Sequence, residues 1–260
     1  MDPAAGRVWI VGGGPGSSDL LTVAAARALR EADVVLYDRL GPVDELPSLA
    51  PGARLIDVGK RPGHHPIPQE RIEALLVEHA RAGRRVVRLK GGDPYVLGRG
   101  AEEVLACRAA GVEVEVVPGV SSAFAVPAEA GIPLTHREVS RMFTVVSGHE
   151  PLSDDDLARL AGLSGTIVVL MGVATLPSTV YGLLRQGAPP ALPIAILERG
   201  YRPDRRVTAG TLATIVVTAA VAGVRSPAVI VIGEVVRLMH VAPDAHDEHL
   251  DLIRAMAASG

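Results

Sequence analysis

The sequence predicts an α/β protein made of two α/β domains, and three observations indicate this fold class. Short β-branched runs alternate with helical segments of ten or more residues, which is typical of βαβ units and a parallel sheet. The length of 260 residues allows one or two domains. Turn-forming residues cluster near the middle of the chain, at Pro118–Gly119 and Gly131–Pro133. We therefore predict an N-terminal domain over 1–118, a C-terminal domain over 119–241 and a flexible tail over 242–260.

Each predicted strand is an apolar run, and each predicted helix is a longer segment with a helical hydrophobic period. The strands are predicted at Val8–Val11, Ala32–Tyr37, Arg54–Val58, Arg85–Leu89, Val112–Val117, Met142–Ser147, Thr166–Leu170, Pro193–Leu197 and Ala228–Ile232. The helices are predicted at Leu20–Glu31, Gln69–Ala82, Ala101–Ala110, Leu176–Gln186 and Leu212–Ala222. Glycines that suit a helix end follow several of them, at Gly83, Gly111, Gly187 and Gly223.

The composition excludes several classes of partner. A hydrophobic fraction of 48% and a charged fraction of 21% indicate a folded chain rather than a disordered one. One Trp, four Tyr and two Phe leave few platforms for base stacking, and a net charge of −3 gives no general attraction to phosphate backbones or anionic membranes. We therefore expect neither a nucleic-acid partner nor a membrane partner.

Two features bear on the location of the protein. The single cysteine, Cys107, cannot form an internal disulfide, and the N-terminus has no charged segment followed by an apolar leader. Both features predict a cytoplasmic protein. The uncharged stretch Val207–Val224 approaches the length of a membrane span, but its threonines and glycines favour the end of a strand followed by an amphipathic helix.

Most residues that could carry chemistry directly follow the apolar runs. These loops are Gly12–Asp19, Asp38–Arg39, Gly59–Arg61, Lys90–Pro94, Pro118–Ser122, Met171–Gly172, Glu198–Gly200 and Gly233–Glu234. Ligands of open parallel sheets bind outside the carboxyl ends of the strands. The loops therefore predict one ligand cleft and, with it, an enzyme. His246 and His249 near the C-terminus favour a solvated segment over a metal site, since no further ligand cluster supports them.

The first glycine-rich loop leaves alternatives open. A strand, a glycine-rich turn and a helix start stand in the order of a dinucleotide site, but the third glycine of that motif would be Ser17, and Pro15 removes an amide donor. A nicotinamide-dependent enzyme and a purely structural turn are both compatible with this loop alone. The loop Lys90–Pro94 is more specific, because its two glycines let the backbone approach a ligand and Asp93 supplies acceptor oxygens.

Taken together, these motifs resemble the tetrapyrrole methylases, a family that uses S-adenosylmethionine. The resembling stretches are Val11–Gly16, Asp19–Thr22, Ala32–Leu40, Val58–Arg61, Val86–Pro94, Gly98–Gly100, Val117–Val120, Ala130–Arg137, Met171–Val173 and Ser226–Ala228. The resemblance implies two α/β domains with a cofactor cleft between them. It also implies S-adenosylmethionine as cofactor, S-adenosylhomocysteine as its product, no metal, a tetrapyrrole substrate and a homodimer.

The same resemblance implies the roles of particular residues. It places the cofactor against Pro15, Gly91, Gly92, Asp93, Val96, Ser121, Ser122, Met171 and Gly200. It makes Asp38 the proton acceptor and Lys60 the proton donor. Within the family, Tyr37–Leu40 and Val58–Arg61 favour the members that methylate uroporphyrinogen III at C2 and C7 to give precorrin-2, for sirohaem or cobalamin. Methylation of another precorrin and a non-catalytic cofactor or tetrapyrrole sensor remain the alternatives.

Such a substrate carries eight carboxylates. Because the net charge of the protein is negative, we expect basic side chains close to the site to bind them. Arginine suits bidentate recognition of carboxylates. The candidates on or near the loops are Arg39, Arg61, Arg99, Arg137 and Arg141.

Overall fold

The computed structural model describes residues 6–59 and 67–239, and the chain divides into two compact units, Met1–Ser122 and Ala123–Gly260. The division falls after the first residue of the helix Ser122–Glu129, a few residues beyond the predicted boundary after residue 118. The predicted flexible tail over 242–260 lies outside the described residues.

The first unit is built on a five-stranded, entirely parallel sheet. Its strands are β1 (Arg7–Gly12), β2 (Val34–Tyr37), β3 (Arg54–Asp57), β4 (Arg85–Lys90) and β5 (Glu113–Val117), in the order β3-β2-β4-β1-β5. Its helices are α1 (Val23–Glu31), α2 (Leu46–Leu49), α3 (Gln69–Arg81) and α4 (Gly100–Ala109), with short 3₁₀ turns at Ser18–Leu20 and Val43–Glu45. Because β4 lies between β1 and β2, the order differs from the 3-2-1-4-5-6 order of dinucleotide-binding sheets.

Both faces of the inner strands are buried, which explains the nearly continuous apolar runs of β1 and β2. Alternate residues of β1 point to opposite faces: Val8 and Ile10 pack with Leu76 of α3, whereas Trp9 and Val11 pack with Leu29 of α1. Helices on both faces therefore leave the carboxyl ends of the strands as the edge from which the functional loops emerge.

The second unit contains a mixed sheet rather than the parallel sheet that the sequence predicted. Its strands are β6 (Phe143–Ser147), β7 (Thr166–Leu170), β8 (Pro193–Glu198), β9 (Arg206–Thr211) and β10 (Ala228–Ile232), in the order β6-β7-β10-β8-β9. Only β6 and β7 pair in parallel, whereas the other three pairs are antiparallel. The helices are α5 (Ser122–Glu129), α6 (Asp154–Ala161), α7 (Leu176–Arg185) and α8 (Ile215–Ala222), followed by a 3₁₀ turn at Glu234–Leu238.

The stretch Val207–Val224 folds as a strand and then a helix, but the predicted amphipathic character of the helix is wrong. Val217 and Val221 of α8 are exposed, while Ile215 and Ala219 are buried, so the helix is apolar on both sides. No helix within residues 6–59 and 67–239 combines the length and the apolar character needed to cross a membrane.

Candidate active site

Backbone hydrogen bonds tie the loop after β1 to the loop after β4. The Gly13 N–H donates to the Lys90 carbonyl (2.7 Å), and Gly14 and Gly92 exchange two N–H···O bonds of 3.2 and 2.7 Å. The loop after β5 lies equally close, since a Cβ atom added at Gly12 would lie 2.5 Å from the Gly119 nitrogen. The three glycine-bearing loops of the first unit are therefore in direct backbone contact.

Gly91 and Gly92 have separate reasons to be glycine. A Cβ at Gly91 would lie 2.3 Å from the Leu40 Cβ, in the loop after β2. Gly92 has a φ of +69°, in the left-handed region that side chains disfavour. Both positions thus depend on the absence of a side chain, whether or not a ligand is bound.

The Asp93 carboxylate joins two of these loops. Its Oδ1 accepts from the Tyr95 N–H (2.8 Å), and its Oδ2 accepts from the Gly119 N–H (3.1 Å). Each carboxylate oxygen has two acceptor sites, so Asp93 can hold the loops and still accept from a ligand. The nearby Ser121 is buried, and Pro15, Val96 and Ser122 are half-buried in the same set of loops.

Asp38, the predicted proton acceptor, is also a structural residue. Its Oδ1 accepts from the Leu40 N–H at 3.0 Å, and both of its oxygens lie 3.1 Å from the Gly91 nitrogen. The carboxylate therefore clamps the loop after β2 to the loop after β4. The predicted donor Lys60 and the predicted substrate contact Arg61 lie outside the described residues.

A buried ionic cluster, which the sequence analysis missed, lies beside Asp38. Arg88 and Lys90 of β4 each place a nitrogen 3.0 Å from the Glu103 Oε1, and the Arg88 Nη2 lies 3.8 Å from the Asp38 Oδ2. Glu103 is fully buried on α4, and its Oε2 has no hydrogen-bond partner among the described residues. Burial lowers the pKa of Lys90, and the neighbouring charge of Arg88 lowers it further. No local motif signals this cluster. Glu103 lies 15 and 13 residues from Arg88 and Lys90 in the sequence, and it contacts them only because helix α4 packs against the sheet that contains strand β4.

The candidate substrate arginines differ in their surroundings. Arg39 forms an ion pair with Asp57 at 2.9 Å, and the Arg99 Nε lies 3.0 Å from the Glu102 Oε1. Arg137 and Arg141 are exposed and form no ion pair within the part of the chain that the structure describes. To bind a carboxylate ligand, Arg39 and Arg99 would therefore have to bind it beside the acidic residue that each already contacts, or release that residue.

Two predicted cofactor contacts belong to the second unit. Met171 directly follows β7 and is 45% exposed, so its side chain is available to a ligand. Gly200 follows β8, and a Cβ there would lie 2.6 Å from the Val126 Cγ2 on α5.

Strained backbone conformations provide independent evidence for a ligand site at the loops that follow the strands. Non-glycine residues with φ between 50° and 59° occur, among the described residues, in the loops after β4, β7 and β8: Leu97, Arg99, Met171, Arg199 and Tyr201. Each such residue costs about 1–3 kcal/mol, and strain of this kind clusters at ligand sites. Over residues 6–59 and 67–239, no group of three or more His, Cys, Asp or Glu is placed to hold a metal ion.

Comparison with known proteins identifies the class that this fold and these loops define. The family model for tetrapyrrole (corrin/porphyrin) methylases matches residues 7–216. The chain belongs to this family.

Within this family, the chain is similar to three proteins whose names specify a substrate or a product. The chain is 48% identical over 237 residues to an S-adenosyl-L-methionine-dependent uroporphyrinogen III methyltransferase of Methanosarcina barkeri, covering 90% of this chain and 93% of the relative. A uroporphyrin-III C-methyltransferase from Thermus thermophilus, crystallised with S-adenosyl homocysteine, superimposes with a TM-score of 0.74 at 44% identity, covering 90% of this chain and all of that one. A siroheme synthase of Gluconacetobacter diazotrophicus is 46% identical over 92% of this chain, which spans about half (51%) of that enzyme.

Proposed function

We propose that this chain is an S-adenosylmethionine-dependent methyltransferase that methylates uroporphyrinogen III at C2 and C7 to give precorrin-2. The observation that carries the proposal is the 48% identity to a uroporphyrinogen III methyltransferase over almost the full length of both chains. That match spans the loops after the strands of both units, where ligands of such folds bind. The product would serve sirohaem or cobalamin synthesis.

The residues of the first unit fit the cofactor. Gly91 and Gly92 bring the backbone to the surface of the site, the Asp93 carboxylate is fixed by two amides, and Ser121 offers a buried hydroxyl. Pro15, Val96 and Ser122 complete the contacts proposed in this unit, and Met171 and Gly200 are those proposed in the second. When bound, S-adenosylmethionine supplies an electrophilic methyl group on its sulfonium sulfur.

Asp38 is suited to accept the proton that the tetrapyrrole loses after methyl addition at a ring carbon has left the ring cationic. Among the described residues, its Oδ2 accepts one hydrogen bond, from the Gly91 N–H, and lies 3.8 Å from the Arg88 Nη2, whereas Oδ1 accepts from two amides, so Oδ2 keeps acceptor capacity for a proton. The amide bonds also fix the direction of the carboxylate, which general-base catalysis requires. Lys60 is proposed as the matching proton donor.

We propose that arginines near these loops bind the carboxylates of the substrate. Arg137 and Arg141 are exposed and unpaired among the described residues, so they need not give up an ion pair to bind carboxylates. Arg39 and Arg99 can each bind a substrate carboxylate while they keep their ion pairs with Asp57 and Glu102. Arg61 completes the proposed set.

The protein is further proposed to be a homodimer. Exposed apolar side chains in the second unit, among them Phe124, Met142 and Phe143, are compatible with a buried two-fold interface. Light scattering at micromolar concentration tests this: we expect twice the chain mass of 27.0 kDa, and the chain mass itself would contradict a dimer.

Transfer of radiolabel from methyl-labelled S-adenosylmethionine to uroporphyrinogen III, under reducing conditions, tests the proposed activity. Two labelled methyl groups per tetrapyrrole are expected, with Asp38→Asn as the matched control that retains the fold but loses the base. Binding of S-adenosylhomocysteine without any transfer would instead support a sensor. Stabilisation by NAD but not by S-adenosylhomocysteine would support the nicotinamide alternative.

A further inference from the structure

The turn Arg199–Tyr201, between β8 and β9, has an unusual backbone. Arg199 has a φ of 50° and Tyr201 a φ of 58°, both in the left-handed region that disfavours side chains. Gly200, the proposed cofactor contact, lies between them. Residues of this kind hold their conformation only where surrounding contacts impose it, so the contacts of this turn decide the position of Gly200.

Helix α5 supplies those contacts on the side of Tyr201. The Glu129 Oε2 accepts a hydrogen bond from the Tyr201 backbone N–H at 2.7 Å, and the Tyr201 hydroxyl donates to the Ala125 carbonyl at 3.0 Å. Burial and the charge of Glu129 raise the pKa of Tyr201, so the phenol stays protonated and remains a donor. Gly200 itself packs on Val126 of the same helix.

The buried carboxylate of Glu198 holds the other end of the turn. It accepts from the Arg206 guanidinium at 2.6 and 2.8 Å and from the Arg225 N–H at 3.0 Å, and the Arg199 Nη1 lies 3.3 Å away. This end is anchored in the sheet, because Glu198 ends β8 and Arg206 begins β9. At the other end, the acceptor that the described residues provide for the Tyr201 backbone N–H is the Glu129 carboxylate.

We propose that Glu129 is a positioning residue for the cofactor, which holds Tyr201 left-handed and so keeps Gly200 in its ligand-binding position before the ligand arrives. This inference rests on the proposed function and deepens it. A protein whose competent conformation is only partly populated binds its ligand more weakly by that fraction, so loss of the Glu129 bond weakens binding without removing a ligand contact.

Two substitutions of Glu129 separate this role from a role of its charge. Glu129→Ala removes the acceptor of the Tyr201 N–H, and we expect the dissociation constant for S-adenosylhomocysteine to rise roughly tenfold. Glu129→Gln keeps an acceptor oxygen and loses only the ion pair with the exposed Arg205, at 3.5 Å. We therefore expect this variant to bind S-adenosylhomocysteine with near-wild-type affinity. Asp155→Ala, which removes an exposed carboxylate from α6 of the same unit, is the matched control and leaves affinity unchanged.

The experiment is calorimetric titration of each folded variant with S-adenosylhomocysteine, together with the KM for S-adenosylmethionine and kcat. The inference predicts a higher KM and an unchanged kcat at saturation for Glu129→Ala. Tyr201→Phe, which removes the bond to the Ala125 carbonyl, gives a second test with a smaller loss of affinity in the same direction. Equal affinity of wild type, Glu129→Ala and Tyr201→Phe would overturn the positioning role alone. Wild-type protein that binds no S-adenosylhomocysteine would overturn the proposed function and this inference with it.

Discussion

Gly12→Ala is expected to disrupt the candidate site by separating two backbone segments. A Cβ at this position would lie 2.5 Å from both the Cα and the nitrogen of Gly119, and 2.8 Å from the Gly92 carbonyl oxygen. Ordinary contacts begin at about 3.4 Å, so the loop after β5 would have to move by about 1 Å. The neighbours are backbone atoms, so no side-chain rotation can relieve the clash.

The magnitude follows from what resists this movement. β1 and β5 are paired in register from Arg7 with Glu113 to Val11 with Val117, so Gly119 can retreat only by distorting the chain just beyond a fixed ladder. Overpacking of this kind costs about 1–3 kcal/mol. The 3.1 Å bond from the Gly119 N–H to Asp93 would also weaken, at about 1 kcal/mol. We therefore expect the free energy of unfolding to fall by about 2–4 kcal/mol.

Urea denaturation and calorimetric titration with S-adenosylhomocysteine measure the two effects of Gly12→Ala. We expect a lower free energy of unfolding and at least tenfold weaker binding. Gly52→Ala is the control, because nothing lies within 4 Å of its added Cβ, and it should be neutral or stabilising by up to about 1 kcal/mol. If Gly12→Ala matched this control in both measurements, the three loops would not form the close assembly described above.

Three further predictions test other parts of the site. Gly92→Val should reduce affinity for S-adenosylhomocysteine below detection in calorimetry, because a β-branched residue resists a φ of +69°; unchanged affinity in a folded variant would remove this turn from the site. Asp38→Asn and Lys60→Met should each lower the methylation rate roughly a hundredfold or more while cofactor affinity and melting temperature stay near wild type, and normal turnover of both would exclude their proton-transfer roles. Burial raises the pKa of Cys107 to about 11, so its thiol should resist alkylation at pH 9 until urea unfolds the chain. Because this pKa is higher in the folded state, stability should fall as the pH rises from about 9 to about 11, and rapid labelling of native protein at pH 9 would contradict the assignment.

The parallel sheet of the first unit could be predicted because its inner strands β1 and β2 are buried on both faces and are therefore almost continuously apolar. The antiparallel pairing in the second unit could not, since a central antiparallel strand such as β8, with both faces buried, has the same apolar pattern. Strand β9 was predicted only as a strand end, because it is an edge strand with exposed positions and two threonines. Helix α6 was not among the predicted helices, although its sequence carries a start signal: Ser153 is an N-cap whose side chain accepts from the Asp156 N–H.

The positions of the candidate site loops could be predicted, but the hydrogen bonds that join them could not. Glycine and aspartate at strand ends are visible in the sequence, and the convergence of those ends follows from parallel topology. The Asp38–Gly91 bond joins residues 53 positions apart, so a structural role for Asp38 beside its proposed chemical role emerges only from the fold. The same holds for Glu103, whose contacts with β4 depend on how helix α4 packs. The roles of Lys60 and Arg61 stay predictions.

The ring position that receives the transferred methyl group distinguishes the proposed activity from its alternatives. Uroporphyrinogen III is incubated anaerobically with the protein and ¹³C-methyl S-adenosylmethionine, and the product is analysed by ¹³C NMR and mass spectrometry. We expect two labelled methyl groups per molecule, both bonded to ring carbons, at C2 and C7. Label on oxygen or nitrogen, label that appears only when a later corrinoid replaces uroporphyrinogen III, or no transfer by protein that binds S-adenosylhomocysteine would contradict it.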